Sequence, residues 1–158
     1  MITIYTDGAS RGNPGPGGWA AIVIAAQQII ELGGREDHTT NNRMELAGAI
    51  KGLEYTGKLF DEPVELHTDS EYVMKGITLW VSGWQKRKWK TASKKPVLNQ
   101  DLWRALLKVS VGRQIEWKYV AGHSGHKLND RCDEIATSFA DDLSMPLYHG
   151  PRDSYKHL

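Results

Sequence analysis

The sequence predicts an α/β domain: a mixed sheet of five strands with helices packed on its faces. Three observations predict it. The segment up to Gly34 holds three β-type runs joined by connections too short for a crossover, so they form an antiparallel meander. From Asn42 the apolar period changes to three and four, and helical and strand patterns then alternate to the end of the domain, which demands crossovers and a parallel component. The chain of 158 residues is 40% hydrophobic, enough for one domain with its own core.

Ile2, Ile4 and Tyr5 begin a strand that runs into Asp7 and the turn-rich "GNPGPGG". "WAAIVIAA", Trp19 to Ala26, is apolar and β-branched, as a buried strand requires. "QIIELGG", Gln28 to Gly34, follows so closely that it pairs antiparallel with its predecessor. Met44, Ala47 and Ile50, with Leu46 and Leu53, lay an apolar stripe along a helix that starts near Asn42. "PVELHTD", Pro63 to Asp69, alternates as a strand, and a helical pattern follows from about Ser70 to Val81. A helix from about Asp101 to Val109 leads into "QIEWKYV", Gln114 to Val120, whose Ile115, Trp117 and Tyr119 share a face. Leu128, Cys132, Ile135 and Phe139 mark the last helix. Residues 1–141 thus form the domain and 142–158 a tail, which docks through Leu147 and Tyr148 or remains frayed.

Composition excludes several classes. No apolar run approaches the ~20 residues of a membrane span, and the basic and apolar pattern of a signal peptide is missing; a soluble, cytoplasmic protein without membrane contact is expected. Cys132 is the only cysteine, which leaves no internal disulfide and no cysteine cluster for zinc. The formal net charge of +1 hides a segregation. From Trp80 to Lys95 the chain carries Lys86, Arg87, Lys88, Lys90, Lys94 and Lys95 and no acid, interleaved with Trp80, Trp84 and Trp89. Asp130, Asp133, Glu134, Asp141 and Asp142 lie far from it in sequence, so a basic face and separate acidic positions are expected.

Ligands of open α/β sheets bind outside the carboxyl ends of strands where strand order reverses. Asp7 and Asp69 both close strands, and those strands neighbour each other in the parallel part. Glu45 lies in the first turn of a helix entering from the same rim. Each acid also has a local reading. Asp7-Gly8 is a turn pair, Thr68 with Glu71 and Asn42 with Glu45 fit capping boxes, and Asp133 sits on a helix flank. Converging carboxylates repel and raise one another's pKa, a conflict that a divalent cation removes. Magnesium suits such a set, with manganese as substitute. Two such ions about 3.5 to 4 Å apart can activate a water and stabilise a leaving oxygen in phosphodiester hydrolysis.

Taken whole, "YTDGASRGNPGPGG", "TTNNRMEL", "HTDSEYV", "WKTASKKPVLNQDLW" and "GHSGHKLNDRCDEIA" resemble bacterial ribonuclease H of type 1, in order and spacing from Met1 to about Ala140. The resemblance implies a ribonuclease H-like fold and an endonuclease that cuts the RNA strand of an RNA·DNA hybrid with two divalent ions, leaving 5′-phosphate and 3′-hydroxyl ends, and acting as a monomer. It implies Asp7, Glu45, Asp69 and Asp133 as metal ligands: Asp7 bridging the ions, Asp133 on the side of the attacking water, Glu45 and Asp69 on the leaving-group side. His123 would assist proton movement or product departure. Ser10, Gly12, Asn13 and Asn41 would approach the RNA strand through the minor groove, and Thr40 and Asn42 would form a phosphate pocket for the DNA strand. The stretch 80–98 would be a substrate-binding protrusion in which Lys86, Arg87 and Lys88 attract phosphates and Trp80 meets the sugar, while Trp84 and Trp89 pack. Lys88 stands where relatives often carry glycine. Three rival readings share parts of this pattern: a non-catalytic binding module, a branched-DNA nuclease or strand transferase, and a small-molecule phosphohydrolase.

Overall fold

A computed structural model describes residues 1–121, 126–143 and 145–158. The three opening strands are β1 (Ile2–Ser10), β2 (Gly15–Ala25) and β3 (Gln28–Thr39), followed by helix α1 (Asn41–Leu59) and strand β4 (Val64–Thr68). Next come α2 (Glu71–Lys75), a π-helical turn (Gly76–Trp80), α3 (Val81–Lys86), α4 (Gln100–Ser110), β5 (Ile115–Tyr119) and α5 (Lys127–Ala140). A short strand β6 (His149–Pro151) and a 3-10 turn end the chain. Among the described residues no helix is long and apolar enough to cross a membrane.

The sheet order is β5-β4-β1-β2-β3-β6. β1 pairs antiparallel with β2 and parallel with β4, with Thr6 opposite Thr68, so it is the strand at which direction reverses, as its position in the sequence predicts. Its alternation serves two cores. Ile2 and Ile4 join the cluster under α1 and α4, and Tyr5 joins the one under α5. β2 and β3 reach further than their apolar stretches because Gly15–Gly18 and Arg35–Thr39 pair with each other across a bulge. The glycines there also admit α5. A Cβ on Gly18 would lie 2.2 Å from the Ala136 carbonyl oxygen, so the helix rests on bare backbone.

Three sequence expectations need correction. The sheet has a sixth strand, because tail residues His149–Pro151 pair with Gln28–Ile30 of β3. A three-residue segment holding Gly and Pro reads as a turn, and only an edge position tolerates its missing donor. The helix expected from Ser70 to Val81 is interrupted by the π-helical turn. A Cβ on Gly76 would lie 2.0 Å from the Trp103 ring, so α4 packs its fully buried indole into the gap, and the local winding widens to admit it. Finally, Thr40 and Ser70 cap α1 and α2, each accepting from a backbone N–H three residues on; Asn42 and Thr68 do not serve as those caps.

The tail is anchored by Glu31 of β3. Its fully buried side chain accepts two bonds from Arg131 of α5, at 2.7 and 3.0 Å. It also accepts from the Tyr155 hydroxyl at 2.7 Å and the Tyr148 N–H at 2.9 Å. Burial alone would push the Glu31 carboxyl up, but these donors together hold it below the ordinary carboxylate range. A depressed folded-state pKa contributes stability above the unfolded-state value, and that contribution is lost as pH falls through the folded-state value. Glu31→Gln therefore costs about 1–3 kcal/mol near neutral pH, because Arg131 loses its buried partner and keeps only the exposed Glu134, at 3.0 Å. The gap to wild type narrows as pH falls below about 4. Urea unfolding of both proteins across that range checks this, and a gap independent of pH would contradict it.

Candidate active site

The parallel pairing that sets Thr6 opposite Thr68 carries the next residue of each chain segment, Asp7 and Asp69, to the same rim. The third acid comes from α1, and it arrives because Gly8 has no side chain. A Cβ there would lie 2.3 Å from the Glu45 backbone nitrogen. The Gly8 N–H, so exposed to both neighbours, donates to Asp7 Oδ1 and Glu45 Oε1, each at 2.8 Å. One carboxylate oxygen from each of Asp7, Glu45 and Asp69 lies within 4.8 Å of the others. Asp133 enters from α5 as another wall of the same open cleft of about 450 Å³, outside that tight cluster. Ser10, Arg11, Asn41, Ser70 and Thr137 add polar side chains to the lining.

The electrostatics follow from burial. Asp7 and Glu45 are 4% and 8% exposed. Burial pushes Asp7 up to about 7, and the charges of Asp69 and Asp133 add to it while the Gly8 and Glu45 hydrogen bonds oppose it. Burial followed by the Asp7 charge lifts Glu45 well above the ordinary range. Glu45 Oε2 is buried and has no hydrogen-bond partner among the described residues, an arrangement that costs about 1–3 kcal/mol or more when left unmet. Oxygen donors alone, converging charge and an orphaned carboxylate oxygen together fit a hard divalent cation, held by Asp7, Glu45 and Asp69 with Asp133 close by.

Beside the acids runs a polar rim. Asn41 Oδ1 accepts from the Ser10 N–H at 2.7 Å and the Ser10 hydroxyl at 3.1 Å, and Asn13 Oδ1 accepts from the Asn41 N–H at 3.4 Å. Gly12 between them has φ +97, a value that only glycine adopts without strain. With the Ser10 hydroxyl also donating to the Gly12 carbonyl at 2.6 Å, Ser10, Gly12, Asn13 and Asn41 form one network. Thr40 is occupied as the cap of α1, and Asn42 is exposed and free of that duty.

The basic stretch divides as expected. Trp80 is 37% exposed, Trp89 is buried, and Trp84 is half-buried between them, with ring centroids 5.9 Å from Trp80, 6.3 Å from Trp89 and 5.4 Å from Trp103. This aromatic row fastens the protrusion to α4. Lys86, Arg87 and Lys88 are exposed. Lys88 has φ +56, a left-handed conformation in which glycine would carry no steric penalty. His123 lies outside the described residues. Sequence reasoning missed Arg11, Ser70 and Thr137 in the lining. Arg11 carried a signal, since it sits among the rim residues, but its partner Asp141 is 130 positions away.

Comparison with known proteins agrees with this geometry. The family model for RNase H matches residues 1–141. Ribonuclease HI of Caulobacter vibrioides is 54% identical over 137 residues, covering 85% of this chain and 89% of the relative. Ribonuclease H of a Cyanothece species is 54% identical over 138 residues, covering 87% of each. Among solved structures, LC9-RNase H1, described as a type 1 RNase H with the type 2 active-site motif, superposes with a TM-score of 0.82 at 31% identity, over 96% of this chain and 78% of that one. LC11-RNase H1, solved in complex with an RNA/DNA hybrid, gives a TM-score of 0.68 at 25% identity, over 90% of this chain and 98% of that one. A match across nearly the whole described domain, centred on strand ends that bring three carboxylates together, leaves one conclusion: the chain belongs to the RNase H family.

Proposed function

We propose that this chain is a metal-dependent endoribonuclease that hydrolyses the RNA strand of RNA·DNA hybrids and leaves 5′-phosphate and 3′-hydroxyl ends. One observation carries the reading: carboxylate oxygens of Asp7, Glu45 and Asp69 converge within 4.8 Å beside a rim of hydroxyl and amide groups. A pure binder of polyanions has no use for acids concentrated where phosphates must lie. A pair of divalent ions, magnesium with manganese as substitute, would supply the activated water and the stabilisation of the leaving oxygen when bound.

The protein's own residues divide the remaining tasks. Asp7, Glu45, Asp69 and Asp133 hold the ions from a sheet rim and two helices, a rigid support that keeps ligand positions accurate. Ser10, Asn13 and Asn41 offer donors and acceptors suited to the 2′-hydroxyl, the group that distinguishes RNA from DNA, and Gly12 lets the backbone approach. Thr40, whose hydroxyl can donate its hydrogen while its oxygen caps α1, and Asn42 take a phosphate of the DNA strand. His123 moves a proton or speeds product departure. Lys86, Arg87 and Lys88 supply attraction blind to sequence, and the exposed face of Trp80 meets the DNA sugar.

Three outcomes follow. With magnesium, an end-labelled hybrid is cut in its RNA strand only, matched RNA and DNA duplexes stay whole, and chelator stops the reaction; cutting of branched DNA instead would favour a different nuclease. Asp7→Asn abolishes cleavage while hybrid affinity, read by fluorescence anisotropy, stays within a few-fold of wild type; equal loss of both in a folded variant would contradict the division of labour. Replacing Lys86, Arg87 and Lys88 together by alanine reduces the slope of log affinity against log salt by about 2 to 3, and an unchanged slope would remove the protrusion from the binding surface.

A further inference from the structure

We infer that Arg11 is a further substrate-binding residue, held by Asp141 in the free protein and handed to a backbone phosphate of the strand in the cleft. The inference rests on the reading of that strand as the RNA of a hybrid. Among the described residues, Arg11 is the one cation that lines the cleft of Asp7, Glu45, Asp69 and Asp133. Its place is fixed by the loop that carries the polar rim. The Arg11 N–H donates to the Pro16 carbonyl at 2.7 Å, and its neighbours Ser10 and Gly12 belong to the network around Asn41.

Its side chain makes a forked ion pair. Nε donates to Asp141 Oδ1 at 2.6 Å and Nη2 to Asp141 Oδ2 at 2.7 Å. Asp141 does little for its own helix. It follows the C-terminus of α5, where the helix dipole disfavours an acid, and the Phe139 and Ala140 carbonyls there already accept from Arg35 Nη1 at 2.9 and 2.6 Å. The carboxylate's side-chain hydrogen bonds go to Arg11, with the charge of Arg35 adding a weaker attraction. The pair is also open to solvent, with side chains 51% and 37% exposed, so water can replace either partner as the other leaves. A phosphodiester presents the same two-oxygen edge to a guanidinium as a carboxylate does. An arriving polyanion repels Asp141 and attracts Arg11, and both effects favour the exchange. The alternative is a static strap, in which the pair merely ties the loop of Gly12–Pro14 to α5.

Steady-state cleavage of a labelled RNA·DNA hybrid in magnesium, over a salt series, separates the two. Wild type, Arg11→Ala, Arg11→Lys and Asp141→Asn are compared, with circular dichroism melts to confirm folding. Arg11→Ala raises KM about tenfold, the scale of one charge-assisted contact, with a smaller change in kcat, and lowers the salt slope of kcat/KM by about one. Arg11→Lys recovers part of the KM loss. Asp141→Asn leaves KM unchanged or lower, because the guanidinium is released in advance. Equal KM increases for Arg11→Ala and Asp141→Asn would establish the strap and overturn the inference, as would an Arg11→Ala variant indistinguishable from wild type. A wild-type protein that cuts no hybrid overturns the parent reading and this one with it, whereas a cutting wild type beside either of those variant results overturns this one alone.

Discussion

At Gly8 the first strand and the first helix meet backbone to backbone, and the arrangement of the site depends on that contact. A methyl group there would sit 2.3 Å from both the Glu45 nitrogen and the Met44 carbonyl carbon, closer than atoms can approach, so α1 would have to retreat or tilt. Its retreat would carry Glu45 away from Asp7 and release the N–H that Gly8 shares between them. The same residue therefore does two things: it permits the approach that crowds two acids, and it donates the hydrogen bond that makes the crowding tolerable. Compensation is partial, since Glu45 Oε2 has no partner among the described residues and both acids remain pushed toward the protonated form. A site left unsatisfied by the protein alone is poised for a cation, and metal binding would release a proton held by the pair.

How much of this could be seen in the sequence depends on the range of the interaction. The meander, the parallel pairing of β1 with β4 and the delivery of Asp7 and Asp69 to one rim all follow from local period and connection length. The acids at strand ends were legible for that reason, and the five motifs supplied their grouping with Asp133. Features set by a distant partner were not legible. Nothing near Gly76 announces that Trp103 will occupy its side-chain space, and nothing near Glu31 in "QIIELGG" announces Arg131 a hundred residues on. β6 was missed because three residues of edge strand carry no period. The cap of α1 lies two positions before the residue expected because Thr40, Asn41 and Asn42 are all capable caps, and local sequence does not rank them.

The protrusion shows a local cost accepted for charge. Lys88 and Trp89 both occupy the left-handed region, at φ +56 and +63, at about 1–2 kcal/mol each for a residue with a Cβ. Glycine at position 88 would remove one of these penalties but also a cation from an exposed basic run. Trp89 is held regardless, since its indole is buried beneath the Arg104 guanidinium, 4.8 Å from the ring centroid. That anchoring over-determines the turn, which is how a strained backbone persists at a functional surface.

Two forked arginine–carboxylate pairs frame α5, and their burial assigns them different work. Arg131 with Glu31 and Arg11 with Asp141 are equally short at their closest, 2.7 and 2.6 Å, so length does not distinguish them. The first has side chains 10% and 0% exposed; breaking it strands a charge in the interior, so it is permanent. It pins α5 two residues before Asp133 and, through Tyr148 and Tyr155, makes the tail part of that anchorage. The second has side chains 51% and 37% exposed, a situation in which solvent screening leaves an ion pair little net stabilisation. Such a pair can dissolve without disturbing the helix that the first one holds. On the proposed function, the buried pair keeps α5 and Asp133 in place while the exposed pair leaves Arg11 free to exchange partners, and α5 carries one of each.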